Sequence, residues 1–230
     1  MLGLGLGLTS DNTPLSEFSL TDITGLKAWY KFKTDIDLSG SNVTTWNDSS
    51  GNTSEDMDLD ASGTVVYDSG SGAVIFSDAN NSILETAADQ LNLGVFTIFG
   101  VVDIVEAGAT NEAVIGRAGN DEFRMYRGAS STGARLRANA NNYDINLTNP
   151  FPSDKFLFTL QRQADDTTIL RIDGTQEGSV AATITDLFDF KRIGNGSTDS
   201  SVYEIAVYDK ALSAEQITTI EADINSRVGV

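Results

Sequence analysis

Over most of this chain hydrophobic residues recur with a period of two, and in one C-terminal stretch they recur with the period of a helix. Over 202–208, Val202, Glu204, Ala206 and Tyr208 alternate with Tyr203, Ile205 and Val207. This predicts a strand whose second, wholly apolar face points at the core. Beyond Leu212, Ser213 is followed three residues later by Gln216 and then by Ile217, Ile220 and Ile224 at helical spacing, a capping box leading an amphipathic helix.

The same reading extends upstream. In the run 26–33, Leu26, Ala28, Tyr30 and Phe32 share one face and lysines dominate the other, as in a half-buried strand. A short strand over 43–46 runs into the turn Asn47-Asp48-Ser49-Ser50-Gly51-Asn52. Strands follow over 64–67 and 73–77, and the run 95–105, fed by an edge and turn over 82–86 and 91–93, is apolar on both faces, as expected of a central strand covered on both sides. A meander over 113–116, 122–127, 134–138 and 143–147 is broken by Gly, Asn and Ser clusters. After Asn149-Pro150-Phe151-Pro152, the runs 155–162 and 168–174 make a hairpin, and Asp173-Gly174 supplies the next tight turn. About a dozen strands and one helix, without an internal repeat, predict an all-β fold: two antiparallel sheets in a jelly-roll sandwich with one short C-terminal helix. The predicted sandwich domain spans 25–230, behind an N-terminal arm and linker over 1–24.

Composition narrows the function. The chain has 230 residues, 40% hydrophobic and 21% charged, within ordinary globular usage. Its 33 acidic against 15 basic residues give a net charge of −18, which disfavours nucleic acid and anionic membrane as partners. There is no cysteine and no histidine, so thiolate and imidazole metal sites, Ser-His-Asp and Cys-His catalysis are absent together. Arg117, Arg124, Arg127, Arg135 and Arg137 crowd into the meander, where they either face an acidic neighbour subunit or pair with local carboxylates.

Several stretches carry candidate chemistry. Leu2, Leu4, Leu6 and Leu8 alternate with glycine and could lie on one side of an added strand, an arm packing onto a neighbouring subunit, or form a frayed tail. The stretch is too short for a membrane span and lacks the basic start of a signal peptide. Asp56, Asp58 and Asp60 invite a calcium reading, but Ala61 and Tyr67 stand where an EF-hand loop needs Gly and Glu, and the spacing suits carboxylates on the wet face of a strand. No pair of glutamates brackets an aspartate on one strand; the nearest acidic groups, Asp121-Glu122 and Glu221-Ala222-Asp223, are expected in a turn and on the helix. Trp46-Asn47-Asp48 and Asn141-Asn142-Tyr143-Asp144 hold the residue types that sugar-binding loops use, although a strand tryptophan serves the core as readily. Gly194-Asn195-Gly196 lacks the lysine of a phosphate loop.

The passages GLKAWYKF…VTTWNDSSGN, NSILETAADQLNLGVFTIFGVV, LFTLQR…TTILRIDGTQEGS and YDKALSAEQI together resemble laminin-G-like, concanavalin A-like domains that recur in bacteriophage structural proteins. The resemblance covers about 25–224, with Ile172 where that family often has Val or Tyr. It implies a non-enzymatic virion protein, a capsid decoration or a tail or fibre part, assembled in the host cytoplasm and held by its N-terminal arm. Expected partners are other virion proteins and further copies of the chain. The alternative is a lectin-like adhesion module for host-surface glycans, with calcium the one cofactor to be considered.

Overall fold

In the computed structural model, the described residues are 18–87, 90–104, 112–117, 119–128, 131–181, 186–194 and 199–230. The arm residues Leu2, Leu4, Leu6 and Leu8 lie outside them. Among the described residues there are 19 strands and one α-helix, so the expected all-β class holds. Seventeen strands form a continuous ladder that folds over into two layers. The α-helix covers one side of this ladder.

The first layer runs, in spatial order, Leu26–Tyr30, Ser200–Tyr208, Phe96–Ile104, Phe156–Arg162, Thr167–Ile172 and Thr175–Ala181, all antiparallel. The second runs Ile36–Ser39, Asn42–Trp46, Leu59–Ser62, Ile83–Thr86, Arg192–Ile193, Glu112–Arg117, Asp121–Gly128, Ser131–Ala138 and Asn141–Asn146. Val66–Asp68 and Ala73–Phe76 join the layers at one edge. A separate pair, Leu91–Leu93 with Phe188–Phe190, adds Phe188 and Phe190 to the core between them.

Phe96–Ile104 is buried at all but one of its positions, as its two-sided apolar pattern requires. Ile98, Val102 and Ile104 enter the core between the layers, while Phe99 and Val101 enter a second cluster under the helix. Gly100 lies where a Cβ would come within 2.4 Å of the Phe158 ring and 2.6 Å of Ile205, so the close packing there needs glycine. The hairpin turn is as expected: Asp173 and Gly174 both have positive φ, 46° and 77°, the signature of a type I′ turn.

Two bulges change which face residues occupy. The pairing of Ser200–Tyr208 with Phe96–Ile104 slips between Val202 and Glu204. Val202, Ile205 and Val207 therefore face the core between the layers, and Tyr203, Ala206 and Tyr208 face the helix, which corrects the strict alternation read from the sequence. A slip between Leu26 and Ala28 acts similarly: Ala28 and Tyr30 face the central core and Trp29 the helix side, as alternation predicts, but Leu26 leaves the face of Ala28 and Tyr30 and packs with the helix-side cluster.

The helix Ala214–Val228 forms as its cap predicts: Ser213 Oγ accepts from Gln216 N at 3.2 Å, and Gln216 Oε1 accepts from Ser213 N at 3.0 Å. Ile217, Ile220, Ile224 and Val228 seal the outer face of the first layer. Two buried carboxylates lock the dock. Glu221 accepts from Thr159 Oγ1 at 2.8 Å and from Arg171 Nε at 2.9 Å. Glu204, fully buried, accepts from Trp29 Nε1 at 2.8 Å and from Arg227 at 2.7 Å. Removing Glu204 strands the buried Trp29 indole N–H and leaves the half-buried Arg227 to Asp223 alone, so Glu204→Ala is expected to cost about 3 kcal/mol or more in urea unfolding at unchanged slope. Glu204→Gln, which keeps an acceptor for Trp29, should cost clearly less.

Candidate polar face and loop cup

The first layer has the helix on its outer side; the outer side of the second carries polar residues from edge to edge. Registers line these residues up across nine strands: Asp37 opposite Thr45, then Asp60, Glu85, Arg192, Gly116, Glu122, Arg137 and Asn142. Their neighbours along each strand, among them Trp46, Leu59, Leu84, Ile193, Ile115, Phe123 and Leu136, fill the core. Period-two geometry thus fixes this row on the outside. Two positions further along, Arg124, Arg135 and Asp144 form a second, shorter row.

Charges on this face are largely paired within it. Arg124 Nε donates to Glu122 Oε2 at 2.7 Å, and Arg137 lies 3.9 Å from the same carboxylate. Arg135 forks onto Asp144, with Nη2 donating to Oδ2 at 3.1 Å. The directly opposed Arg124 and Arg135 would repel, and each is offset by its own carboxylate. Local pairing therefore accounts for Arg124, Arg135 and Arg137; the side chains of Arg117 and Arg127 lie outside the described part. Toward the other edge, Thr45 Oγ1 donates to Asp60 at 2.9 Å and Lys191 Nζ pairs with Glu85 at 2.8 Å. Asp121 and Glu122, expected in a turn, open the strand Asp121–Gly128, because pairing with Ser131–Ala138 and Glu112–Arg117 extends to them.

A loop cup at 48–58 is a second candidate, with a volume of about 440 Å³ lined by Asp48, Asn52, Glu55, Asp56, Met57 and Asp58 among others. Its walls are tied down. Asp48 Oδ1 accepts from Trp29 N at 2.7 Å and Ser50 N at 2.9 Å, and Asp58 Oδ1 accepts from Asp48 N at 2.7 Å. Asn52 Nδ2 donates to Lys27 O at 3.1 Å and Glu55 at 2.8 Å. Trp46 is fully buried beneath, its ring 5.8 Å from that of Tyr30, so it is a core residue and contacts no ligand space.

The sequence-level sugar candidates are thereby divided. Asn142 and Asp144 stand on the polar face, Asp48 stands in the cup, and Tyr143 packs against the core. The aspartate run is divided too: Asp60 joins the sheet row while Asp56 and Asp58 line the cup. They do not form one wet strand face, since the strand starts only at Leu59. Among the described residues no group of three or more Asp, Glu, His or Cys is arranged to hold a metal ion.

No family model matches this chain, and no curated protein matches it. Solved structures do. Domain 4 of AbnA, an arabinanase from Geobacillus stearothermophilus solved with arabinotriose, matches over 85% of this chain and 98% of its own at 15% identity and a TM-score of 0.61. The binding domain of Paraclostridial Mosquitocidal Protein 1 matches over 91% of this chain and 53% of its own, at 15% identity and a TM-score of 0.58. Trypanosoma rangeli sialidase in complex with sialic acid matches over 89% of this chain at 17% identity and a TM-score of 0.51; the chain spans 33% of that enzyme. At these identities the likeness is one of fold: a β-sandwich of the kind the sequence resembled.

The cup makes one pH prediction. Burial, first, and then the Asp58 carboxylate hold the Asp48 carboxyl above its usual range, against the pull of its hydrogen bonds from Ser50 and Trp29. A raised folded-state value means the folded state binds more protons than the unfolded one just above the ordinary aspartate range. Stability should therefore fall as pH rises through that window, and Asp48→Asn should flatten the slope in urea midpoints measured across it.

Proposed function

We propose that this protein is a non-enzymatic carbohydrate-binding module that contacts glycan across the outer face of its second sheet layer. The observation that carries the reading is the polar row itself: carboxylate, hydroxyl, guanidinium and amide groups in lateral register on a rigid sheet. Such groups meet sugar hydroxyls as donor and acceptor at once, and mounting them on paired strands removes most of the ordering cost of binding. Supporting it, the solved neighbours include a domain with bound arabinotriose, a sialidase with bound sialic acid and the binding domain of a toxin.

Two features speak for binding without catalysis. Glu85 and Glu122, the glutamates of the row, are three strand spacings apart, about 14 Å, beyond the ~5–9.5 Å at which paired carboxylates cleave glycosides. Asp60 and Glu85 are adjacent, but each is already engaged, by Thr45 and Lys191 respectively.

A glycan array probed with and without calcium tests the reading, and binding to a defined set of glycans is expected. A flat response in both conditions would end it. Arg135→Ala combined with Asn142→Ala should weaken binding about tenfold at unchanged melting temperature, since both are peripheral to the core. The virion placement rests on the resemblance and on the Leu2, Leu4, Leu6 and Leu8 arm; on that reading, deleting Met1 to Leu8 abolishes co-sedimentation with particles and leaves melting unchanged.

A further inference from the structure

We infer that the glycan is acidic, with a sugar carboxylate seated on Arg192; this rests on the proposed function and specifies its ligand. Arg192 stands in the middle of the polar row, between Glu85 on one side and Gly116 on the other. It is only 8% exposed, yet among the described residues no carboxylate and no hydrogen-bond acceptor meets its guanidinium, and its Nε is buried without a partner. The chain carries 33 acidic residues, so the gap is not for want of anions.

The adjacent acids are committed elsewhere. Glu85, directly opposite, pairs with Lys191 at 2.8 Å, and Glu122, one strand beyond Gly116, takes Arg124 at 2.7 Å. Gly116 has no side chain, and none can be added, because a Cβ there would fall 2.2 Å from the Asp121 carbonyl oxygen. Among the described side chains Arg192 is thus the one arginine without a counter-ion, and the row places no side chain at Gly116 beside it. A buried, unpaired guanidinium is a costly arrangement in a protein interior, and an incoming carboxylate relieves it with two parallel N–H···O bonds. Arginine suits that fork and lysine does not. The flanking hydroxyl, amide and carboxylate groups of the row then take the sugar hydroxyls.

Uronic and sialic acids share this chemistry, and two matched pairs of probes separate them: tetragalacturonate against its methyl ester, and 3′-sialyllactose against lactose. Calorimetric titration at low salt is expected to show at least one acid bound about tenfold or more tighter than its neutral counterpart. Arg192→Met should erase the difference while melting at or above the wild-type temperature, and Arg192→Lys should keep only part of it. Should Arg192→Met fold poorly, Arg192→Lys carries the test alone, since it keeps charge and loses the fork. Equal binding of acid and neutral forms, or a preference that survives Arg192→Met or is undiminished in Arg192→Lys, overturns the inference. Neutral-sugar binding that ignores Arg192 sinks the inference and spares the proposed function; no binding to any of the four probes or to an array sinks both.

Discussion

The architecture depends on one constraint: the central strands of the first layer are apolar on both faces. Phe96–Ile104 and Ser200–Tyr208 cannot leave either side in water, so the layer needs a partner on each. One partner is the second layer, and the other is the C-terminal helix. The helix is held by isoleucines and by Glu204 and Glu221, carboxylates that are costly to bury and well satisfied once buried. With the one α-helix among the described residues spent on the first layer, the outer side of the second is left for water or a ligand. Its sequence agrees, placing charged, hydroxyl or amide side chains at every outward position of the row but Gly116.

The proposed function follows from that asymmetry. A sheet with one face in the core gives its other face a rigid, evenly spaced lattice, about 4.8 Å between strands. Side chains on such a lattice are positioned by backbone pairing over nine strands and do not depend on a loop holding its shape. The cup at 48–58 is held differently, by a mesh of side-chain to backbone bonds from Asp48, Asp58 and Asn52. Its charged lining residues are all acidic, whereas the sheet face carries both signs.

Much of the fold was legible in the sequence because it is written locally. The capping box at Ser213 and Gln216, the turn at Asp173-Gly174 and the doubly apolar run around Phe99 each announce their structure within a few residues. The bulges at Val202 and Leu26 were not legible, since an extra residue in a strand leaves no mark in composition yet turns Tyr203 and Leu26 to the other side. The site was illegible for a related reason. Its members come one from each strand, and only pairing brings Asp37, Asp60, Arg192 and Asn142 into one line. The sequence did flag Asn142, Asp144 and the arginine cluster as residue types; which of them share a face had to wait for register. Arg192 did not stand out, because its isolation from the described carboxylates is a property of three dimensions.

The measurement that bears most directly on this account is amide hydrogen exchange of the full chain with and without a glycan identified on an array. The account requires slowed exchange along the second layer, centred on the strands Arg192–Ile193, Glu112–Arg117 and Asp121–Gly128. Protection confined to the 48–58 cup or to the helix flank would contradict it, and would move the binding site off the sheet.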